Sequence, residues 1–320
     1  MIDHLSHFKQ ILKKKGTGKT MSKHMDQTDM DFVVQCLKND AIPLATKATL
    51  LTAWIMLDKT PEEASTLAKI KEDLDQYLPP ELTFLFLPGS SYHEILIHQA
   101  MNGDAISATD IDTIFNDYEQ NVIQSYTLTS FLEALRLKEE TFTENCAVYD
   151  AFQKRTIRQT LDLPILIDFA TPYDGFNRSF FLQPFICALL AAVGIPSVIH
   201  GVEEVSPKKG MNTHKVLMAA NKTPLLPLNA VKSQIENPLI GWAYVDQVFF
   251  CPSLSRLIQP RIDMVKRPVL ATIEKWLQPF SAKQTICVTG FTHPPYKQKT
   301  LDIIQYANCY DQLILVRGVE

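Results

Sequence analysis

No two of the six cysteines (Cys36, Cys146, Cys187, Cys251, Cys287 and Cys309) form a CxxC pair, and none adjoins a histidine. Thiolate metal ligation depends on such spacing, so no metal site is expected. A disulfide framework is not expected either in a chain of 320 residues, which is long enough to bury a substantial core without one. The cysteines read as small buried apolar side chains. Long apolar runs are missing too. The longest, Phe185 to Val193, stops at Gly194 and is too short to span a bilayer. The N-terminus has no apolar stretch of the signal-peptide kind, so a cytoplasmic protein without membrane contact is expected. There is no excess of positive charge. A net charge of −4 and a pI near 6.1 exclude wholesale attraction to nucleic acid and leave only a local basic patch for it.

What remains is ordinary globular composition, 46% hydrophobic and 21% charged, in a length that suits two domains or one large one. The first half has helical patterning and repeats itself at an offset of 81 residues. Asp26–Asp29 matches Ser107–Asp110, Ile42 matches Ile123, Ala53 matches Ala134, Thr60 matches Thr141, and Glu63 matches Glu144. The shared content is capping. Thr60 with Glu63, and Thr141 with Glu144, each place a hydroxyl at the N-cap and a glutamate at N3, a pair that satisfies orphan amides at a helix start. Pro61 suits the first helical position, and Asp26 and Ser107 are equivalent N-caps. Two helical units are expected, residues 1–75 and 76–160. The second opens on a linker from Gln76 to Ser91, broken by Pro79-Pro80 and Pro88-Gly89.

The pattern changes from Leu163, and residues 161–320 are expected to form an α/β domain. Apolar runs at Ile165–Ile167, Pro196–Ile199, Trp242–Val245, Ile286–Val288 and Leu313–Val316 alternate with helix-length segments. Those segments are Phe181–Val193, Leu254–Met264 and Lys299–Asn308. This alternation predicts a central, mostly parallel sheet. Ligands of such sheets bind beyond the carboxyl ends of the strands. Three loops are thereby singled out. The first carries Thr171, Asp174, Gly175, Asn177, Arg178 and Ser179 into a helix start, where backbone amides and an arginine fork meet anions. The second carries His200, Gly201, Lys208 and Lys209; His200 reads either as a general acid–base group or as a structural histidine. The third, Thr289–Tyr296, offers hydroxyls, His293 and rings for stacking, or is a proline-rich connection. Arg256, Arg261, Lys266 and Arg267, with Lys208, Lys209 and Lys215, would make a positive groove. Lys15-Gly16-Thr17-Gly18-Lys19-Thr20 imitates the end of a phosphate-binding P-loop. Lys13 stands where the first glycine belongs and no buried strand precedes it, so a basic helix-to-helix connection is expected.

An ordered set of residues carries a family resemblance. It comprises Phe131–Thr141 (FLEALRLKEET), Asp174-Gly175, His200-Gly201, Arg261 and Arg267–Thr272 (RPVLAT). The chain resembles the anthranilate phosphoribosyltransferase family, glycosyltransferase family 3, and in particular its diverged branch. The resemblance implies a helical N-terminal domain, here doubled, plus an α/β domain of the nucleoside phosphorylase/phosphoribosyltransferase type. It also implies transfer of phosphoribose from phosphoribosyl pyrophosphate with Mg2+, and a homodimer formed through the helical domain. The first loop would take the pyrophosphate with Thr171, Asp174, Gly175, Asn177, Arg178 and Ser179. His200 and Gly201 match a second loop, and Arg261 matches an arginine that meets the acceptor carboxylate. Where the family has a GTGGDG loop this chain reads Phe169-Ala170-Thr171-Pro172-Tyr173-Asp174-Gly175, so glycines are lost and Pro172 removes an amide outright. The family's KHGN reads Ile199-His200-Gly201-Val202. The family's acidic metal pair would fall just after Glu320, so a C-terminally shortened chain is expected. Within the diverged branch the resemblance also implies single-stranded nucleic acid as a partner for Lys208, Lys209, Lys215, Arg256, Lys266 and Arg267. An interaction role for the helical units is a further alternative.

Overall fold

The computed structural model describes residues 3–87, 89–178, 180–292 and 294–318. The sequence expectations at Pro88, Ser179 and His293 fall outside these residues. The chain divides into two compact units, residues 1–144 with 259–269, and residues 145–258 with 270–320.

The first unit is helical. It contains α1 (His4–Lys15), α2 (Gln27–Cys36), α3 (Leu44–Met56), α4 (Pro61–Glu72), α5 (Leu74–Tyr77), a 3-10 turn (Pro80–Leu85), α6 (Tyr92–Asn102), α7 (Ala108–Glu119) and α8 (Ser125–Lys138); α9 (Phe142–Gln153) leads out of it. The starts of α7, α8 and α9 lie 81 residues after those of α2, α3 and α4. The capping repeats with them. Asp26 and Ser107 each accept the amide three residues on, at 2.9 and 3.1 Å. Thr60 and Glu63 close a capping box (3.1 and 3.0 Å), as do Thr141 and Glu144 (3.2 and 2.8 Å). Each glutamate also accepts the amide just before the other cap, Glu63 from Met25 at 2.9 Å and Glu144 from Ile106 at 2.8 Å. Each is buried with a lysine against it. Lys15 Nζ lies 2.9 Å from Glu63, and Lys138 Nζ lies 2.7 Å from Glu144. The lysines come from different helices, so the two repeats reach the same charge balance by different routes. The equivalent helices α3 and α8 pack on each other, with Thr129 Oγ1 donating to the Ala45 carbonyl at 3.1 Å. The P-loop-like stretch leads from the end of α1 towards α2, and its lysines are engaged: Lys15 contacts Glu63 at 2.9 Å, and Lys19 Nζ donates to the Lys138 carbonyl at 3.4 Å.

The second unit is α/β. Its elements are β1 (Gln159–Thr160), β2 (Leu166–Phe169), α10 (Gln183–Ala192), β3 (Ser197–Gly201), α11 (Thr213–Ala219), α12 (Leu228–Glu236), β4 (Trp242–Asp246), α13 (Gln247–Phe250) and α14 (Pro252–Ser255). After α15 (Ile258–Met264), most of which belongs to the helical unit, come α16 (Leu270–Ile273), β5 (Phe280–Ser281), β6 (Thr285–Phe291), α17 (Pro294–Ala307) and β7 (Gln312–Arg317). Five strands form one parallel sheet in the order β4-β3-β2-β6-β7, and β1 pairs with β5 beside it. Connections run outward in both directions from the β2–β6 pair, which makes it the topological switch point. Strand alternation puts Ile167 and Phe169 on one face, where they pack with Cys187, Ile199 and Tyr244, and turns Asp168 to the other.

The expected helix Leu254–Met264 is two helices. Pro260 is the reason. It sits third in α15, where its missing amide is one that no helix would pair, whereas in a continuous helix it would interrupt the ladder. Proline likewise delays α10 to Gln183, with Pro184 in its first turn, and α17 opens at Pro294. Among the described residues no helix is long and apolar enough to cross a membrane.

Candidate functional site at the strand-end loops

The loop after β2 and the loop after β3 are bound to each other. Gly210 N donates to Asp174 O at 2.8 Å, and Phe176 and Met211 exchange amide bonds at 2.9 Å each. Asn177 Nδ2 donates to Lys208 O at 3.1 Å. Glycine is required on both sides. Gly175 has φ +74°, and a Cβ there would lie 2.6 Å from Met211 O; a Cβ on Gly210 would lie 2.7 Å from Phe176 N. Gly175 N turns back to Pro172 O at 3.2 Å. Several loop amides are therefore spent within the protein, and Pro172 has none. Asn212 fastens the second loop by capping α11 through Lys215 N at 3.0 Å and donating to Val202 O at 3.0 Å.

Beneath these loops is a hollow lined by Thr171, Tyr173, His200, Gly201, Thr213 and Tyr244, among others. Its volume is about 10 Å3, the threshold for holding one water. Thr213 Oγ1 is buried there without a hydrogen-bond partner among the described residues. His200 belongs to its floor and is fully engaged. Its Nε2 faces Asp168 Oδ1 at 3.0 Å, and its Nδ1 hydrogen-bonds the Tyr173 hydroxyl, which reaches Glu274 O at 3.2 Å. Tyr310 donates to Asp168 Oδ2 at 2.9 Å. Burial drives the hydroxyls of Tyr173 and Tyr310 far above the ordinary tyrosine range, so both remain donors. Both ring nitrogens of His200 are thus engaged within the protein. A second dyad, His214 Nδ1 with Asp246 Oδ2 at 3.1 Å, shares that carboxylate oxygen with Tyr244 Oη, also at 3.1 Å. Asp168, Tyr173, Thr213, His214, Tyr244 and Asp246 were not singled out from the sequence. Only Asp246, which closes a strand run, carried a usable signal there.

The remaining candidates scatter. Thr171 and Asp174 are buried in the first loop, while Asn177 and Arg178 are exposed. Lys208 is exposed, with its Nζ 5.6 Å from the centre of the Phe176 ring. Lys209 and Lys215 are not free cations: Glu204 meets them at 2.8 and 3.1 Å, and the Lys209 ammonium foremost holds its carboxyl below the usual glutamate range. Arg256 is exposed in the second unit, whereas Arg261, Lys266 and Arg267 belong to the helical one. Arg261 is 0% exposed, which corrects its expected place in a surface groove. Lys266 is corrected as well. It is buried, donates to Lys13 O at 2.8 Å, and burial lowers its pKa to about 8. Arg267 is exposed. Among the described residues no group of three or more His, Cys, Asp or Glu side chains is placed to hold a metal.

No family model matches the chain. It is 24% identical over 219 residues to an uncharacterised protein of Aquifex aeolicus, covering 67% of this chain and 63% of that one. It is 27% identical over 116 residues to an anthranilate phosphoribosyltransferase of Synechococcus sp., covering 36% of this chain and 34% of that one. The chain thus spans under two thirds of the length of these relatives. Its fold matches the crystal structure of anthranilate phosphoribosyltransferase from Thermus thermophilus with a TM-score of 0.55, over 70% of this chain and 66% of that one, at 16% identity. The chain therefore has the fold of anthranilate phosphoribosyltransferase and a local sequence similarity to such enzymes.

Proposed function

We propose that this protein keeps the phosphoribosyltransferase fold without transferring phosphoribose to anthranilate, and acts as a binding protein. The observation that carries the reading is the interlock of the two loops through Gly175 and Gly210. It occupies amides at the strand ends and leaves a hollow of about 10 Å3, against the roughly 300–1,000 Å3 of working small-molecule sites. Phosphoribosyl pyrophosphate with Mg2+ does not fit these residues. Asp174 is the sole carboxylate of residues 170–182, and it is buried. In the presence of Mg2+ and phosphoribosyl pyrophosphate, anthranilate fluorescence is expected to stay constant, and calorimetric titration of phosphoribosyl pyrophosphate is expected to release no heat. Steady loss of the anthranilate signal overturns the reading.

A second reading names the partner as single-stranded nucleic acid. It is favoured by Phe180, 93% exposed, on the same pair of loops as the exposed Arg178 and Lys208. Rings beside cations stack bases without regard to sequence. The pairing of Lys209 and Lys215 with Glu204 limits the number of phosphate contacts, so binding of a labelled oligonucleotide should vary only shallowly with salt. An anisotropy that does not change even at low salt removes this reading.

A further inference from the structure

Lys47 stands in the first turn of α3 and is 2% exposed. A buried ammonium is costly unless paired. The buried lysines Lys15 and Lys138 have glutamates against them. Lys47 has no hydrogen-bond or ion-pair partner among the described residues. It lines a cleft of about 450 Å3 lying wholly within the helical unit, in the size range of small-molecule sites.

The cleft carries charge of both signs. Asp40 and Glu81 line it and are themselves exposed, while Pro79 and Pro80 supply apolar wall. Lys38 also lines it, but its ammonium is held by the Asp75 carbonyl. Burial pushes the Lys47 pKa down, and the more distant charges of Asp40 and Glu81 only partly restore it. A simple anion entering to meet Lys47 is repelled by the two carboxylates. A simple amine leaves Lys47 unpaired. A molecule with both charges a few bonds apart meets both requirements. We propose that this cleft binds a free α-amino acid with an apolar side chain. Its carboxylate rests on Lys47, its ammonium faces Asp40 and Glu81, and its side chain lies on the prolines.

Calorimetric titration of the full chain with L-leucine and L-phenylalanine tests this, alongside isoamylamine and 4-methylpentanoate, which each keep one charge. The amino acids are expected to bind, and each single-charge analogue at least tenfold more weakly. Lys47→Met is expected to weaken amino-acid binding at least tenfold while raising the melting temperature, because an apolar chain of similar length replaces an unpaired buried charge. No heat from either amino acid, equal binding of an analogue, or undiminished binding by Lys47→Met overturns the proposal. The unmutated protein gives a reading independent of the variant's folding. Bound leucine should slow reductive methylation of Lys47 several-fold, mapped by mass spectrometry, and leave the exposed Lys209 unchanged. Equal rates with and without leucine overturn it as well.

Discussion

Glu63→Ala is expected to destabilise the helical unit by about 3–5 kcal/mol, the cost of breaking a buried charge pair from one side. The Glu63 side chain and that of Lys15 are both 0% exposed, with Lys15 Nζ at 2.9 Å. The carboxylate also holds the amides of Met25 and Thr60 and contacts His24 at 3.0 Å. Its loss leaves the Lys15 ammonium and the Met25 amide without their partner in the interior, and the part-buried Thr60 amide unpaired. Denaturant unfolding followed by helical circular dichroism reads the effect, and a loss below about 1 kcal/mol, the range of surface pairs, would mean the hub is not buried as described. The site also has a pH signature. Burial alone raises the Glu63 carboxyl, but the Met25 amide, Lys15 and the Thr60 amide outweigh it and hold it below the ordinary glutamate range. Glu144 is held low in the same way, by Lys138 and the amides of Ile106 and Thr141 against its burial. A depressed folded pKa contributes stability that is present above the unfolded value, about 4.3, and is lost as pH falls through the folded one. The helical unit should therefore weaken with acid below that range, and Glu63→Gln should flatten the acid limb.

Asp168→Ala is expected to cost the α/β unit at least about 1–3 kcal/mol, because it strands one buried donor and removes the partner of a second, part-buried one. They are His200 Nε2 at 3.0 Å and the Tyr310 hydroxyl at 2.9 Å. Asp168 lies in β2 between β3 and β6, so the sheet offers it no solvent to relax into. Combining Asp168→Ala with His200→Phe should cost less than the two single changes added, with a coupling of about 0.5–3 kcal/mol. Strict additivity in that cycle would show that the histidine and the carboxylate do not act as a unit. A large coupling measured by unfolding identifies His200 as a member of the sheet's buried polar network, which ties the closure of the strand-end hollow to the stability of the sheet.

Much of this architecture is written locally. Thr60 and Glu63, or Thr141 and Glu144, lie three residues apart, and one helical turn brings them together whatever surrounds them. The 81-residue offset could be read because matching caps place matching helix starts. The inner strands β2 and β3 announced themselves as short apolar runs because both their faces are covered, whereas the apolar run of the edge strand β7 is largely exposed. Long-range placement was not legible. Lys209 and Lys215 look like a basic rim until Glu204 folds between them. Arg261 and Lys266 look like surface cations in the sequence, and both are buried in the fold. Lys47 looks like any solvated lysine in the chain, and is 2% exposed. Patterning and capping follow from neighbours along the chain. Whether a charge is paired, buried or free follows from residues tens of positions away, and the three-dimensional packing alone brings those together.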